Sequence, residues 1–252
     1  MNLLDHPIIS QRYFFPRPTP VLDPVMVPVD GAELACWRGG APTDDGQPLL
    51  VFFHGNGEVV ADWVPFWGPF CASLGYGAFL AEYRGYGAST GVPALGAMLG
   101  DVDAIAAATG VDPARIVVVG RSVGSIYAIE WVRRLPKTRG LIIESGIHDV
   151  LERLALRMRP AELGVSRQEM TEAVAAQLDH QAKLEGYAGP SLFMHALGDD
   201  LVTPDNARAN AAAAQDAQLV LFDRGDHNSI QAANGNAYLT ALSDFLVPLK
   251  PL

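Results

Sequence analysis

Six short apolar runs recur along the chain: PLLVFF (48–53), GAFLAEY (77–83), RIVVVG (115–120), GLIIES (140–145), PSLFMHA (190–196) and QLVLFD (218–223). They lack the alternation of a half-exposed strand and have the length of strands buried on both faces. Helix-length segments separate most of them. GAMLGDVDAIAAAT and SIYAIEWVRRLP fit helices, the second with Ile126, Tyr127, Ile129, Trp131 and Leu135 near helical spacing. Strand and helix in repeated alternation predict an α/β fold, a mostly parallel central sheet with helices on both faces. Ahead of it, VMVPVDGAELACWRG (25–39) reads as two strands around Asp30-Gly31, a dipeptide suited to a tight hairpin. An antiparallel N-terminal hairpin is therefore expected, followed by a Pro/Gly/Asp loop.

One interval breaks the rhythm. More than forty residues separate Ser145 from Pro190, far more than a short crossover needs. The interval at about 147–188 reads as a small helical insertion. Asp149 stands three residues before Glu152 and Ser166 three before Glu169, the spacing of N-terminal capping boxes. Two helices are expected, the second running to about Leu184. The first puts Val150, Leu151, Leu154, Ala155 and Met158 on one face with Arg153 and Arg157 away from it, and the second carries a stripe of Met170, Ala173, Val174 and Leu178.

Composition narrows the setting. At 252 residues, 49% hydrophobic and 18% charged, the chain reads as a single domain over 1–252 with a sizeable core. No apolar stretch approaches the roughly 20 residues that span a bilayer, so no integral membrane association is expected. The N-terminus lacks the basic-then-apolar pattern of a secretion signal, which points to a cytoplasmic location. Cys36 and Cys71 make neither a disulfide framework nor a metal cluster, and both read as buried thiols. A net charge of −10 argues against nucleic acid or an anionic membrane as partner. One region runs the other way: Arg133, Arg134, Lys137, Arg139, Arg153, Arg157, Arg159 and Arg167 crowd together. They read either as a solvated face, with pairs such as Asp149 and Arg153, or as a rim that attracts anionic substrates.

The candidate chemistry lies in VVVGRSVGS (117–125). A serine between a buried strand and a helix, with glycines two residues to either side, sits on a turn too sharp for larger neighbours. Such a turn lifts the Ser122 hydroxyl above the carboxyl edge of the sheet, at a helix N-terminus that favours developing negative charge. A serine hydroxyl needs a base, and the base needs an orienting carboxylate. Of six histidines, His227 follows the last strand in RGDHNS and is best seated to reach Ser122. His195 is expected to be buried within its strand. The loop HALGDDLVTP after the penultimate strand offers Asp199, Asp200 and Asp205; Asp199 is the choice, and Asp226 reads as a solvated loop acid.

HGNG (54–57), YRGYGAS (83–89), GRSVG (120–124), GDDLVTP (198–204) and GDHN (225–228), in that order, resemble the α/β-hydrolase superfamily of serine hydrolases. HGNG with YRGYG is similar to its small, single-domain Bem-like branch, and the likeness spans residues 25–248. In that family the aspartate stands three residues before the valine of a D-x-x-V-P motif, which selects Asp199 through Val202; here Thr203 intervenes before Pro204, and Ala196 stands where the strand often ends in glycine. The resemblance implies a Ser122–His227–Asp199 triad and an oxyanion hole from the backbone amides of Val123 and Asn56. YRGYG is expected to be architectural, with Arg84 bracing loops. The expected activity is hydrolysis of a small-molecule carboxylic ester or related acyl substrate, with no cofactor and no metal. Thioester or amide hydrolysis and acyl transfer would use the same triad, and a catalytically silent binding protein would use none of it. The insertion is expected to cap Ser122, with Leu151, Leu154 and Met158 lining an acyl pocket.

Overall fold

The apolar runs form strands in the order in which the chain presents them. The computed structural model describes residues 2–41 and 46–250, so residues 42–45 of the Pro/Gly/Asp loop lie outside the described residues. The strands are β1 (Val25–Val29), β2 (Ala32–Gly40), β3 (Leu49–Phe53), β4 (Gly77–Ala81), β5 (Ile116–Arg121), β6 (Gly140–Glu144), β7 (Pro190–Ala196) and β8 (Asp216–Phe222). They hydrogen bond in the order β1-β2-β4-β3-β5-β6-β7-β8. The β1–β2 and β2–β4 pairs are antiparallel, and all others are parallel. Asp30-Gly31 closes the hairpin with Gly31 at φ 72°, and Pro28 is tolerated because β1 is an edge strand.

The helices are α1 (Pro7–Tyr13), α2 (Val60–Ser73), α3 (Ala97–Thr109), α4 (Gly124–Arg134), α5 (Val150–Ala155), α6 (Arg167–Leu178), α7 (His180–Glu185), α8 (Pro204–Ala213) and α9 (Ile230–Leu246). Alternate strand residues supply the two cores. Val51, Phe53, Val118, Ile143 and Phe193 face α3, α4, α7 and the insertion, whereas Leu50, Phe52, Val119, Ile142 and Met194 face α2 and α9. Because both faces of the central strands are covered, their sequence is a continuous apolar run rather than an alternating one.

Three details differ from the sequence reading. β8 is an edge strand whose first four residues are exposed. The second helix of the insertion stops at Leu178, and Asp179 starts α7 by accepting the Ala182 amide, the usual preference of aspartate for a cap over a helix interior. Glu152 does not complete a reciprocal box with Asp149, although Asp149 accepts its amide at 2.9 Å; Ser166 and Glu169 make the full box. Cys36 and Cys71 are free and buried.

Candidate active site

β5 ends at Arg121 and α4 begins at Gly124, leaving two residues to reverse the chain. Ser122 takes φ 52°, a left-handed conformation that costs a non-glycine residue on the order of 1–3 kcal/mol and is retained where the surroundings fix it. Here they do. The Ser122 amide donates to the Glu144 carbonyl at 2.9 Å, and Ser125 Oγ donates to the Ser122 carbonyl at 2.6 Å while accepting the Ile147 amide. A Cβ at position 124 would lie 2.1 Å from the Phe53 carbonyl oxygen, and one at 120 would lie 2.6 Å from the Gly124 carbonyl. Only glycine fits either side of this turn.

The loop after β8 brings His227 to the serine: Nε2 lies 2.9 Å from Ser122 Oγ, and Nδ1 lies 2.7 Å from Asp199 Oδ2. These contacts select the tautomer with the proton on Nδ1 and a lone pair facing the serine. Asp199 follows β7, and its Oδ1 accepts the amides of Leu201 at 2.9 Å and Val202 at 2.8 Å. Its Oδ2 also meets His195 Nε2 at 3.1 Å. Burial opposes ionisation of Asp199, but the contacts from His195, His227 and Val202 outweigh it and hold the carboxyl well below the usual carboxylate range. Asp200 and Asp226 are apart from this chain of contacts; Asp226 turns back on Asn228 and Ser229.

The HGNG loop after β3 lies beside the elbow. Among the described residues, the backbone amides of Asn56 and Val123 have no hydrogen-bond acceptor. The Asn56 side chain is committed elsewhere. Its Oδ1 accepts the Phe15 amide at 3.0 Å and the Tyr86 hydroxyl at 2.8 Å, and its Nδ2 donates to the Tyr13 carbonyl. A strap formed by residues 13–17 is thereby tied to the loop, and Arg17 adds a bond to the Gly57 carbonyl and an ion pair with Asp62. Behind it, His54 Nε2 meets Glu82 at 2.6 Å in full burial, and the Tyr83 hydroxyl donates to the His54 carbonyl. Burial disfavours the charged imidazole, but Glu82 overrides it and raises the His54 pKa. The tyrosines of YRGYG thus brace this loop, and Arg84 grips Asp101 with two bonds and the Asp30 carbonyl with a third.

No protein-family model matches the chain. It is 26% identical over 240 residues to the α/β-hydrolase domain-containing protein WAV2 of Arabidopsis thaliana, covering 88% of this chain and 77% of that protein. It is 25% identical to protein bem46 of Schizosaccharomyces pombe, covering 80% and 68% respectively. Among solved structures, Est1E of Butyrivibrio proteoclasticus superposes with a TM-score of 0.72 at 16% identity, over 89% of this chain and 98% of that one. A thermophilic esterase of Thermogutta terrifontis does so with 0.67 at 20% identity, over 91% and 100%. The chain has the α/β-hydrolase fold.

Within this hydrolase fold, one arginine that sequence reasoning passed over joins the loops. Arg121 is buried, with Nε on Glu144 at 3.0 Å, Nη1 on Glu58, and Nη2 on the His227 carbonyl at 2.7 Å. Glu58 in turn accepts the Gly55 amide and the Trp63 indole, and Glu144 accepts the Tyr238 hydroxyl. A charged residue inside the GRSVG elbow and an acid ending the otherwise apolar run GLIIE were the available signals. The insertion residues divide: Leu151 and Met158 line a cavity of about 530 Å³ with Met170, whereas Leu154 is fully buried in the core. The expected Asp149–Arg153 pair is absent; Asp149 caps α5, and Arg153 donates to the Leu201 carbonyl at 2.6 Å. Among the described residues, no helix is long and apolar enough to cross a membrane.

Proposed function

We propose that the protein is a serine hydrolase that cleaves a carboxylic ester or related small acyl compound. The observation that carries this reading is the continuous contact from Ser122 Oγ to His227 at 2.9 Å and on to Asp199 at 2.7 Å. The thermophilic esterase named above as a fold neighbour agrees with it. Ser122 attacks the acyl carbon, and its proton passes to His227 Nε2. Asp199 holds the imidazole and stabilises its charged form. His227 returns the proton to the leaving group, and water repeats the sequence to release the acid. The Val123 and Asn56 amides receive the oxyanion, each such donor contributing about 2.7–4 kcal/mol toward the transition state. The expected acyl pocket of Leu151, Leu154 and Met158 does not join this site: Leu154 is core, and the cavity lined by Leu151 and Met158 is enclosed by residues of the insertion alone.

The test is a panel of p-nitrophenyl esters of graded acyl length with a fluorophosphonate probe in parallel. Wild type should label and turn over at least one ester, and Ser122→Ala should do neither while retaining the wild-type circular dichroism spectrum. Undiminished labelling of Ser122→Ala would overturn the assignment.

A further inference from the structure

The basic cluster between 133 and 167 resolves into two populations. Arg133, Arg134 and Lys183 converge on Glu130, with Arg134 also on Asp103, Arg139 binds the Leu249 carbonyl, and Arg159 lies 3.7 Å from Glu162. Among the described residues Lys137 and Arg167 join Arg139 in having no carboxylate partner, and Arg153 and Arg157 share that lack but, unlike them, touch neighbours of the candidate site. One turn apart on α5 and the turn that follows it, Arg153 and Arg157 share a face.

Each rests on a neighbour of the candidate site. Arg153 donates through Nη1 to the carbonyl of Leu201, whose own amide binds Asp199. The Arg157 guanidinium lies 5.2 Å from the centre of the Phe15 ring, and the Phe15 amide is held by the Asn56 side chain. Both guanidiniums act on the buried Tyr13 hydroxyl, opposing the burial that pushes its pKa up to about 12. Phe15 and Leu201 are nearly half exposed, at 45% and 47%. The two cations therefore stand at the rim between the loop bearing Asp199 and the loop bearing Asn56, with most of their N–H donors unused.

We propose that Arg153 and Arg157 form an anion-recognition pair that selects acyl substrates carrying a carboxylate or phosphate remote from the scissile bond. This rests on the hydrolase reading above. A protein of net charge −10 repels such substrates at long range, and two unneutralised guanidiniums at the rim reverse that field locally. Their planar N–H forks suit bidentate binding of an oxyanion. Phe15 and Leu201 supply apolar contact for the chain between the anion and the ester.

The experiment compares kcat/KM for p-nitrophenyl hemiglutarate and p-nitrophenyl valerate, close in shape and different in charge. Wild type should favour the anionic ester, less so in high salt. Arg153→Gln/Arg157→Gln should lower the anionic-to-neutral ratio about 10- to 100-fold, chiefly through KM, the scale of one or two hydrogen bonds to a charged group. Arg153→Lys/Arg157→Lys keeps the charge but loses the forks, so its ratio should fall between those of wild type and the double Gln variant. If no ester is turned over, the same ratio is read from labelling rates of phosphonate probes with and without a carboxylate tail. Equal ratios in wild type and the double Gln variant overturn the pair. Activity persisting in Ser122→Ala, or a wild-type protein that neither turns over nor labels, overturns the hydrolase reading itself, and the pair with it.

Discussion

Arg121→Met removes a guanidinium that three parts of the molecule share. The side chain is 6% exposed, and its partners Glu144 and Glu58 are 2% and 20% exposed, so neither carboxylate can exchange the lost partner for full hydration. Removing one member of a buried pair costs about 3–5 kcal/mol, a large part of the roughly 5–15 kcal/mol that stabilises a whole domain. At about 2–4 °C per kcal/mol for a chain of this size, Tm should fall by roughly 6–20 °C. The His227 carbonyl also loses its donor at 2.7 Å, which frees the loop that sets the 2.9 Å approach to Ser122. A misplacement of about 1 Å can cost a hundredfold in rate, so ester turnover should fall on that scale at a temperature where the variant is still folded. Near-ultraviolet circular dichroism gives Tm, and steady-state kinetics gives kcat. The double variant Arg121→Met/Glu144→Gln should lose less stability than the two single losses added, by about 0.5–3 kcal/mol. Strict additivity, or a Tm within about 2 °C of wild type, would refute the reasoning, because either means that the guanidinium carries no buried charge pair.

Asp199→Asn should cut turnover by about 10⁴-fold, as the equivalent change does in a serine protease, while Asp200→Asn changes it only a few-fold; the reverse ranking in steady-state kinetics would move the role by one residue. Gly124→Ala must displace the elbow from the Phe53 carbonyl, 2.1 Å from the new Cβ, so fluorophosphonate labelling should slow by more than tenfold, about 1.4 kcal/mol of lost alignment, and unchanged labelling would show that the turn has slack. Glu130 is buried, which disfavours its charge, but bonds from Arg133, Lys183 and Arg134 lower its pKa from 4.5 to about 2. Its stabilisation is therefore present above the ordinary glutamate range and lost as pH falls through about 2. Urea midpoints of wild type and Glu130→Gln should differ at neutral pH and converge at the acid end of that window; a gap that persists there would contradict the pairing.

The sheet was legible because its central strands are buried on both faces and read as unbroken apolar runs, and the elbow because Gly120 and Gly124 flank Ser122 at two positions where a Cβ would strike the backbone. The neighbours of Asp199 were legible in part: His195 read as buried, but not as a second imidazole 3.1 Å from the carboxylate. α2 was opaque, since Pro65 and Pro69 lie inside it and prolines ordinarily mark helix ends. The Arg121 network was opaque for another reason. Its members come from β5, β6, α9, the segment that follows HGNG and the histidine loop, and nothing local distinguishes a half-buried, paired Glu58 from a solvated one. Leu154 shows the same limit: periodicity put it on an apolar face, but whether that face met a pocket or the core depended on packing.

Asn56 ties residues 13–17 to the loop beside the elbow, although that strap contributes nothing to the sheet, whose first strand begins only at Val25. Within the strap selectivity and folding divide by position: Tyr13 and Phe14 are buried in the core, whereas Phe15 and Arg17 are exposed. Exchanges at positions 15 and 17 would reshape the wall of the site and the seat of Arg157 without altering a strand, the elbow or any residue of the Ser122–His227–Asp199 contact. On the hydrolase reading, two exposed positions of a strap anchored in the core by Tyr13 and Phe14 can therefore serve as interchangeable specificity positions, open to drift or to engineering while the residues beneath them stay fixed.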